Sequence, residues 1–336
     1  MKTFIINFTL IVLIPLTVFA KTSNPLNAQK ITENFYLIQG GDSNSAALIT
    51  SSGVVVVDFG NLPSTGEHMI NLIRGITKQK ITHVILTHYH DDHTAGLSAL
   101  PSDVIIIGHE NIKKAFTQIA YPRWKDLSEV QYPEYIKNLR IKLDKVKTEA
   151  NLEHPKTEKE LNETLIYFED YKKIRFIPPT IEFSKQLRFT VGNETIELYH
   201  PGQAHTQTDC VVYFPNQKIL CIGDLIFNEA FPFIDKRSRV NTAGWIHALS
   251  SAYLEYDCTY VIPGHGPMGN KEIIEHQRQL LVDLRNEVKT VFLQGKSLED
   301  AKILVRMDKY KDLQWFAGLP RAIEAIYDEL EIEKNK

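Results

Sequence analysis

The sequence is poor in the residues that mark cross-linked or fibrous proteins. Only three of its 336 residues are cysteine, so a small scaffold held together by disulfides is excluded. Glycine (17) and proline (15) are too few for a collagen-like or low-complexity chain. Basic residues are not in excess, because 38 Lys and Arg face 41 Asp and Glu. A dedicated nucleic-acid-binding protein needs a basic face, so no nucleic-acid partner is expected.

The remaining composition is that of a folded globular protein. With 43% hydrophobic and 24% charged residues, the chain can bury a sizeable core as one large α/β domain or two average domains. Its three cysteines are Cys210, Cys221 and Cys258, an odd number that cannot pair completely. Cys210 and Cys221 lie in apolar, strand-like runs, so we expect both to be small buried core residues.

An apolar run of about 17 residues, from Phe4 to Ala20, follows Lys2 near the N-terminus. Small residues at Val18 and Ala20 fit a cut after Ala20, so the pattern predicts a secretory signal peptide over residues 1–20. The protein is then expected to be periplasmic or secreted, with no stable membrane anchor after cleavage. An uncleaved anchor is the alternative, and it is disfavoured because the run is short for a membrane span and contains Pro15.

Strand-like and helix-like segments alternate along the chain. Strand-like runs are NFYLI, SAALIT, GVVVVDFG, ITHVILT and DVIIIG in the first half, and LRFTV, TIELY, CVVYF, KILCI and CTYVI in the second. Helices are predicted over 64–79 and 94–100, and again after Met268, whereas 21–30 is expected to be a polar leader. This alternation predicts a layered α/β structure.

Residues 113–176 lack strand-like runs and are rich in Lys and Glu. Apolar residues spaced by 4, 3, 4 and 3 predict one helix, and a second stripe predicts another. The first stripe is Tyr132, Ile136, Leu139, Leu143 and Val146, and the second is Leu161, Leu165 and Phe168. We interpret 113–176 as a helical hairpin inserted into the α/β body. A solvated excursion is favoured over a lid or a dimer arm, because insertions into loops are commonly tolerated.

A dense group of possible metal ligands lies in LTHYHDDH, residues 86–93. His88 and His90 are two positions apart after an apolar strand, so in extended backbone they share a face and can reach one ion. Asp92 and His93 lie past the turn and can face a second ion. Four possible ligands within six residues favour a metal site over a chance cluster of surface histidines.

Three more possible ligands follow apolar strand-like runs elsewhere in the chain. They are His205 after TIELY, Asp224 after KILCIG and His265 in the PGHGP segment after CTYVI. Ligand sites of α/β sheets gather beyond the carboxyl ends of strands, so these side chains could converge on one pocket. Imidazole and carboxylate together suit Zn²⁺, and less often Fe or Mn. The other histidines, including His200, are expected to be surface or core residues.

Together these motifs resemble those of the metallo-β-lactamase superfamily. The resemblance rests on HYHDDH (88–93), GQAHT (202–206), IGD (222–224) and PGHGP (263–267), with VVVVDFG (54–60) upstream. It covers residues 31–267 and implies an αββα sandwich, two mixed β-sheets flanked by helices. The segment 113–176 would be a helical insertion and 268–336 a C-terminal helical extension.

The resemblance also implies a role for each ligand. His88, His90 and His205 would bind a first zinc ion, and Asp92, His93 and His265 a second. Asp224 would bridge the two ions, and Asp58 would form a hydrogen bond next to the ligands. Asp92 would also act in catalysis, by orienting a hydroxide and carrying a proton.

The function implied is that of a dinuclear zinc hydrolase acting on a small molecule. A hydroxide shared by the two metals would attack the carbonyl of an ester, thioester, lactone or lactam. The commonest β-lactamases have a cysteine where Asp224 stands here, so the glyoxalase II and lactonase-like branches are favoured. A class B-like β-lactamase is the alternative, and a non-catalytic periplasmic metal-binding accessory protein is a second. Phe231 and Phe233 are candidates to line the substrate pocket.

Overall fold

The computed structural model describes residues 25–148 and 153–335. The predicted signal peptide, residues 1–20, lies outside these ranges. The contacts within the chain divide it into two compact units. One is Lys125–Lys172, and the other contains 25–124 and 173–335. None of the helices in the described ranges is both long enough and apolar enough to cross a membrane.

The larger unit contains two mixed β-sheets, as the family resemblance implies. One sheet has seven strands in the order β1 (Asn27–Lys30), β2 (Phe35–Gly41), β3 (Ser43–Thr50), β4 (Gly53–Val57), β5 (Ile81–Ile85), β6 (Ile105–His109) and β7 (Ile181–Phe183). It is antiparallel up to β4 and parallel from β4 to β7.

The second sheet has five strands, in the order β12-β11-β10-β9-β8. The strands are β8 (Gln186–Val191), β9 (Glu194–Tyr199), β10 (Val211–Phe214), β11 (Ile219–Phe227) and β12 (Tyr260–His265). The β11–β12 pair is parallel, and the other pairs are antiparallel.

Ten α-helices complete the described chain. They are α1 (Pro63–Ile76), α2 (Asp91–Thr94), α3 (Ile112–Ala115), α4 (Tyr121–Asp126), α5 (Tyr132–Thr148), α6 (His154–Tyr171), α7 (Thr242–Glu255), α8 (Glu272–Leu293), α9 (Leu298–Leu304) and α10 (Leu319–Lys334). Shorter 3₁₀ turns follow α2 at Ala95–Ala99 and precede α10 at Phe316–Gly318. The predicted helix 94–100 is therefore mostly this 3₁₀ turn, because α2 ends at Thr94.

Alternate residues of the central strands point into two different cores. Val55 and Val57 of β4 lie in the core between the sheets, where Phe35 meets Phe214 edge to face at 5.0 Å. Val54 and Val56 point the other way and pack with residues of α1. Both faces of β4 are thus buried, which explains the uninterrupted apolar run VVVV.

The outer face of the five-stranded sheet packs against helices from the end of the chain. Leu220 and Ile222 of β11 share a core with Trp245 of α7, Leu281 of α8 and Ile326 of α10. The larger unit is therefore a helix–sheet–sheet–helix sandwich, which confirms the predicted fold. The C-terminal helical extension forms part of its outer helix layer.

The smaller unit, Lys125–Lys172, contains the predicted helical hairpin. The rings of Tyr132 on α5 and Phe168 on α6 stack at 5.3 Å, and Tyr135 donates a hydrogen bond to Glu160. The whole first stripe, from Tyr132 to Val146, is buried. The compact unit is shorter than the predicted insertion 113–176, since Ala115, Phe116 and Ala120 pack in the core of the larger unit.

The two edge strands of the seven-stranded sheet, β1 and β7, were not predicted. β1 has the polar sequence NAQK and lies in the predicted polar leader, and β7 has only three residues. Each segment is short and largely exposed, and contributes backbone hydrogen bonds rather than a buried face. Edge strands of this kind leave little signal in a sequence.

Candidate metal centre

The seven predicted ligands lie together at one end of the two sheets. Two groups of side chains bring their ligand atoms within 4.8 Å of one another. The first group is His88, His90, His205 and Asp224, and the second is Asp92, His93, Asp224 and His265. The motif 88–93 follows β5, His265 ends β12, and His205 lies in the loop between β9 and β10.

Asp224 departs from the predicted position after a strand. It lies inside β11, which continues to Phe227. The register against β12 shifts on both sides of Gly223, whose φ is +54°. A Cβ at Gly223 would approach Thr87 to 2.6 Å, so glycine is required there for both backbone and space. The expectation that Asp224 follows the strand is wrong, and an irregularity within the strand places it at the site instead.

The first group consists of three imidazoles and one carboxylate oxygen. His90 Nδ1 lies 3.0 Å from His88 Nε2 and 3.1 Å from His205 Nε2. Asp224 Oδ2 lies 3.4 Å from His205 Nε2 and 3.6 Å from His88 Nε2. Three ring nitrogens and a carboxylate oxygen therefore converge on one small volume.

The second group consists of two imidazoles and two carboxylates. His93 Nε2 lies 3.1 Å from Asp224 Oδ1 and 3.3 Å from Asp92 Oδ2. His265 Nε2 lies 3.3 Å from Asp224 Oδ1 and 3.2 Å from Asp92 Oδ2. Asp224 thus directs Oδ1 to this group and Oδ2 to the first, the orientation that a shared carboxylate ligand requires.

Unsatisfied polar atoms within the second group fit a bound cation. His93 Nε2 and Asp224 Oδ1 are buried and have no well-aligned hydrogen-bond partner among the described residues. Such atoms cost free energy unless something else binds them. Imidazole and carboxylate are ligands that divalent zinc accepts. The residues therefore fit two divalent cations, one in each group.

Asp58 forms a hydrogen bond to one of the candidate ligands, as the family resemblance implies. Its carboxylate accepts hydrogen bonds from Thr87 N at 2.8 Å, Thr87 Oγ1 at 2.7 Å and His93 Nδ1 at 2.7 Å. Asp58 follows β4 with a left-handed φ of +56°, which turns its side chain towards the site. A hydrogen bond at Nδ1 fixes the tautomer of His93 and leaves Nε2 free to bind a cation.

Other ligands are oriented by partners that the sequence did not reveal. His90 Nε2 contacts Ser238 Oγ at 3.0 Å, and His265 Nδ1 contacts the carbonyl oxygen of Asp42 at 2.9 Å. The loop that carries His205 is held by buried Asp209, which accepts hydrogen bonds from Thr206 N and Thr206 Oγ1. Ser238 is 148 residues from His90 in the chain and belongs to no motif, so only the fold brings them together.

Burial and charge divide the histidines into two classes. Burial lowers the pKa of His90 to about 3 and that of His205 to about 4. Burial also opposes the charged form of His265, but Asp224 and Asp92 outweigh it and raise its pKa to about 10. The pKa of His93 is likewise raised well above its ordinary value, by Asp92, Asp224 and Asp58 against the effect of burial. The pKa is thus raised for both histidines of the second group and lowered for the three histidines of the first.

Zinc binding at pH 7 is expected to release protons. His93 and His265 must lose theirs to bind a cation, because only neutral imidazole is a ligand. Both pKa values are raised, so each histidine carries its extra proton at any pH below its own pKa. Zinc affinity should therefore increase as the pH rises towards those values. Isothermal titration in buffers of different ionisation enthalpy measures the release. A binding heat independent of the buffer would contradict it.

Cys210 and Cys221 are buried core residues, as predicted. Cys221 pairs with Val212 and Ile262 on the neighbouring strands and lies in the core between the sheets. Burial, together with the charge of Asp58, raises the pKa of its thiol well above the ordinary value. Cys221 belongs to neither ligand group.

The Cys221→Ser variant is expected to keep its metal content and turnover. The change replaces a core thiol by a hydroxyl of similar size, so its cost should fall on stability, by about 1–3 kcal/mol. Elemental analysis and thermal unfolding of the variant beside the unaltered protein measure both effects. Loss of one metal equivalent would show that Cys221, not Asp224, completes the second group.

Further predicted residues are placed as follows. Trp245 is buried, donates a hydrogen bond to the carbonyl oxygen of Leu225 and packs against His205, so it is a packing residue behind the site. His200 Nδ1 contacts the carbonyl oxygen of Asp209 and belongs to neither ligand group. Phe231 is buried, and Phe233 lies under the guanidinium of Arg321 at 3.7 Å.

Fold and site together are those of a metal-dependent hydrolase with a His/Asp metal site. The sequence model of the metallo-beta-lactamase superfamily matches residues 38–265, and the chain belongs to this superfamily. It is 22% identical to the metallo-beta-lactamase type 2 of Bacillus cereus over 71% of this chain and 73% of that protein. It is 21% identical to the metallo-beta-lactamase type 2 of Elizabethkingia meningoseptica, over 82% and 92%.

Solved structures share the fold at low sequence identity. A metallo-beta-lactamase from Pontibacter korlensis matches 76% of this chain and 98% of its own, with a TM-score of 0.53 and 21% identity. The sec-alkylsulfatase Pisa1 from Pseudomonas sp. matches 92% of this chain, with a TM-score of 0.68 and 16% identity. This chain covers 51% of the sulfatase chain.

Proposed function

We propose that the protein is a dinuclear zinc hydrolase that cleaves an ester, thioester, lactone or lactam. The observation that carries this proposal is the orientation of Asp224, with Oδ2 towards the first ligand group and Oδ1 towards the second. Two bound zinc ions would supply a water of lowered pKa and polarise the bond to be cleaved. The protein's own part is to hold the ions, exclude bulk water and move protons.

The ligand groups divide these tasks. His88, His90 and His205 would hold the first ion, His93, His265 and Asp92 the second, and Asp224 both. Asp92 also suits proton transfer, because its side chain is 27% exposed whereas those of its neighbours His93 and His265 are at most 9% exposed. A partly exposed carboxylate at the edge of a buried site can exchange protons with solvent.

β-Lactam hydrolysis is the second candidate, and the curated relatives favour it because they are named metallo-beta-lactamase type 2. Asp224 argues for the wider hydrolase function, because it supplies a hard oxygen ligand between the two groups. A metal-binding accessory protein without catalysis is the third. These candidates differ in turnover rather than in metal content.

A substrate panel run beside metal analysis tests the proposal. The zinc-loaded protein would be given thioester, lactone, cephalosporin and secondary alkyl sulfate reporters, with the metal-free protein as the control. We expect about two zinc ions per chain and turnover of a carbonyl substrate other than the cephalosporin. Turnover of the cephalosporin alone would make the protein a β-lactamase. Two bound ions with no turnover would favour the accessory protein.

We also propose that the protein is exported, on the strength of residues 1–20. The mature protein would then begin at or near Lys21, and its intact mass in the native compartment would lack the first 20 residues. A mass that includes Met1, found in the membrane fraction, would favour an anchor instead.

A further inference from the structure

Trp315 is a large apolar side chain exposed directly beside the candidate metal centre. Its ring lies 5.1 Å from that of His265, edge to face at 74°, and 6.0 Å from that of Phe227. Phe227 stacks flat on His265 at 5.0 Å and is buried. Trp315 in contrast is 47% exposed. Phe227 and Trp315 thus form a continuous apolar surface against His265, a candidate ligand, and Trp315 is its open end.

The backbone holds Trp315 in a strained conformation. Its φ of +61° and ψ of +15° lie in the left-handed region, which is unfavourable for a bulky residue. Phe231 N donates to the carbonyl oxygen of Gln314 at 2.7 Å, and Gln314 N donates to that of Glu229 at 3.3 Å. Glu229 also has a left-handed φ of +61°. Two segments with left-handed residues thus pair with each other, and the pairing fixes the backbone directly before Trp315.

Trp315 also lies outside the part of the chain that defines the superfamily. The match to the superfamily ends at His265, whereas Trp315 comes from the segment between α9 and α10. Single exposed apolar residues are common and need no explanation. An exposed indole that is strained, held by a second strained segment and placed against a ligand histidine is different, because strain of this kind gathers at functional sites.

We propose that Trp315 determines substrate specificity, by stacking on an aromatic ring of the substrate on the His265 side of the site. This inference rests on the proposed hydrolase function and narrows its substrate class to carbonyl compounds with an aryl substituent. Indole offers a flat apolar face, and aromatic pairs add binding energy beyond the area they bury. The residue would act on binding rather than on the bond-breaking step.

Binding without turnover gives the first test. Phenylacetate, cyclohexylacetate and acetate would be titrated into the zinc-loaded protein and into Trp315→Ala and Trp315→Phe. We expect the preference for phenylacetate over acetate to fall about three- to tenfold in Trp315→Ala, the loss of one aromatic pair, and to survive largely in Trp315→Phe. Leu254→Ala, which removes an exposed apolar side chain on α7, is the matched control and should change nothing.

Turnover of matched phenylacetyl and acetyl thioesters gives the second test. In Trp315→Ala the KM for the phenylacetyl substrate should rise about three- to tenfold, with its kcat and the KM for the acetyl substrate nearly unchanged. If the ratio of the phenylacetyl KM to the acetyl KM is the same in Trp315→Ala and the unaltered protein, the role of Trp315 is overturned, whereas the hydrolase function is not. If the unaltered protein turns over no ester, thioester, lactone or lactam while phenylacetate binding still depends on Trp315, the hydrolase function fails and the contact stands.

A structural role for Trp315 makes a different prediction, which Trp315→Gly tests. Glycine adopts φ of +61° without strain, so the variant should lose the aryl preference and keep its Tm within a few degrees. A large drop in Tm, with equal losses for both substrates, would show that the indole serves packing and would overturn the inference.

Discussion

Replacing Asp224 by alanine is expected to remove about one metal ion per chain and to lower kcat/KM by more than about a hundredfold. Losing a residue that merely supports a ligand typically costs 10- to 100-fold, and Asp224 is a candidate ligand itself. It is the residue common to both groups, so its carboxylate has no substitute. The second group should suffer most, since Asp224 Oδ1 approaches it more closely than Oδ2 approaches the first.

The metal count distinguishes this outcome from a general loss of folding. Asp224→Ala should keep one ion in the first group, which retains three histidines. Asp224→Asn is the size-matched variant. Asparagine keeps one side-chain oxygen, which can serve only one of the two groups, so this variant should also fail to bind both ions. Cys221→Ser is the control within the same strand. Two ions and full activity in Asp224→Ala would show that the carboxylate does not bridge the groups.

The grouping of the candidate ligands could be predicted from sequence because much of it is local. His88, His90, Asp92 and His93 lie within six residues, and their spacing needs only the geometry of a strand and the turn after it. The layered α/β structure could be predicted as well, because strands buried on both faces, such as β4, have continuous apolar runs, whereas the two mixed sheets were implied by the family resemblance. Local periodicity and local spacing can both be recognised in a sequence without a structure.

What the sequence left out depends on contacts between distant segments. The bulge that places Asp224 inside β11 arises where Gly223 passes close to Thr87, far away in the chain. Ser238 reaches His90 only through the loop after β11, and Trp315 reaches His265 only because two backbone segments pair. These contacts join segments that are distant in the chain, at no regular spacing, so they produce no recognisable pattern in the sequence.

Asp58→Asn is expected to weaken zinc binding by the second group about 10- to 100-fold, although the residue touches no ion in the proposed site. Asp58 accepts three hydrogen bonds, two from Thr87 and one from His93 Nδ1. Asparagine keeps the size but offers an NH₂ group in place of one oxygen. If the NH₂ group takes the place of Oδ1, it faces the N–H of Thr87, which is also a donor. If it takes the place of Oδ2, it faces Thr87 Oγ1 and His93 Nδ1 instead.

His93 would then have to move its proton from Nδ1 to Nε2, the atom that lies 3.1 Å from Asp224 Oδ1 and 3.3 Å from Asp92 Oδ2. A protonated Nε2 cannot bind a cation, so affinity falls although every ligand is still present. Titration with a chromophoric chelator measures the two affinities, and ¹⁵N NMR of the histidines reports the tautomer. Excess zinc should restore activity in Asp58→Asn but not in Asp224→Ala, which lacks the ligand itself. An unchanged second affinity in Asp58→Asn would mean that the carboxylate holds Thr87 in place rather than the tautomer of His93.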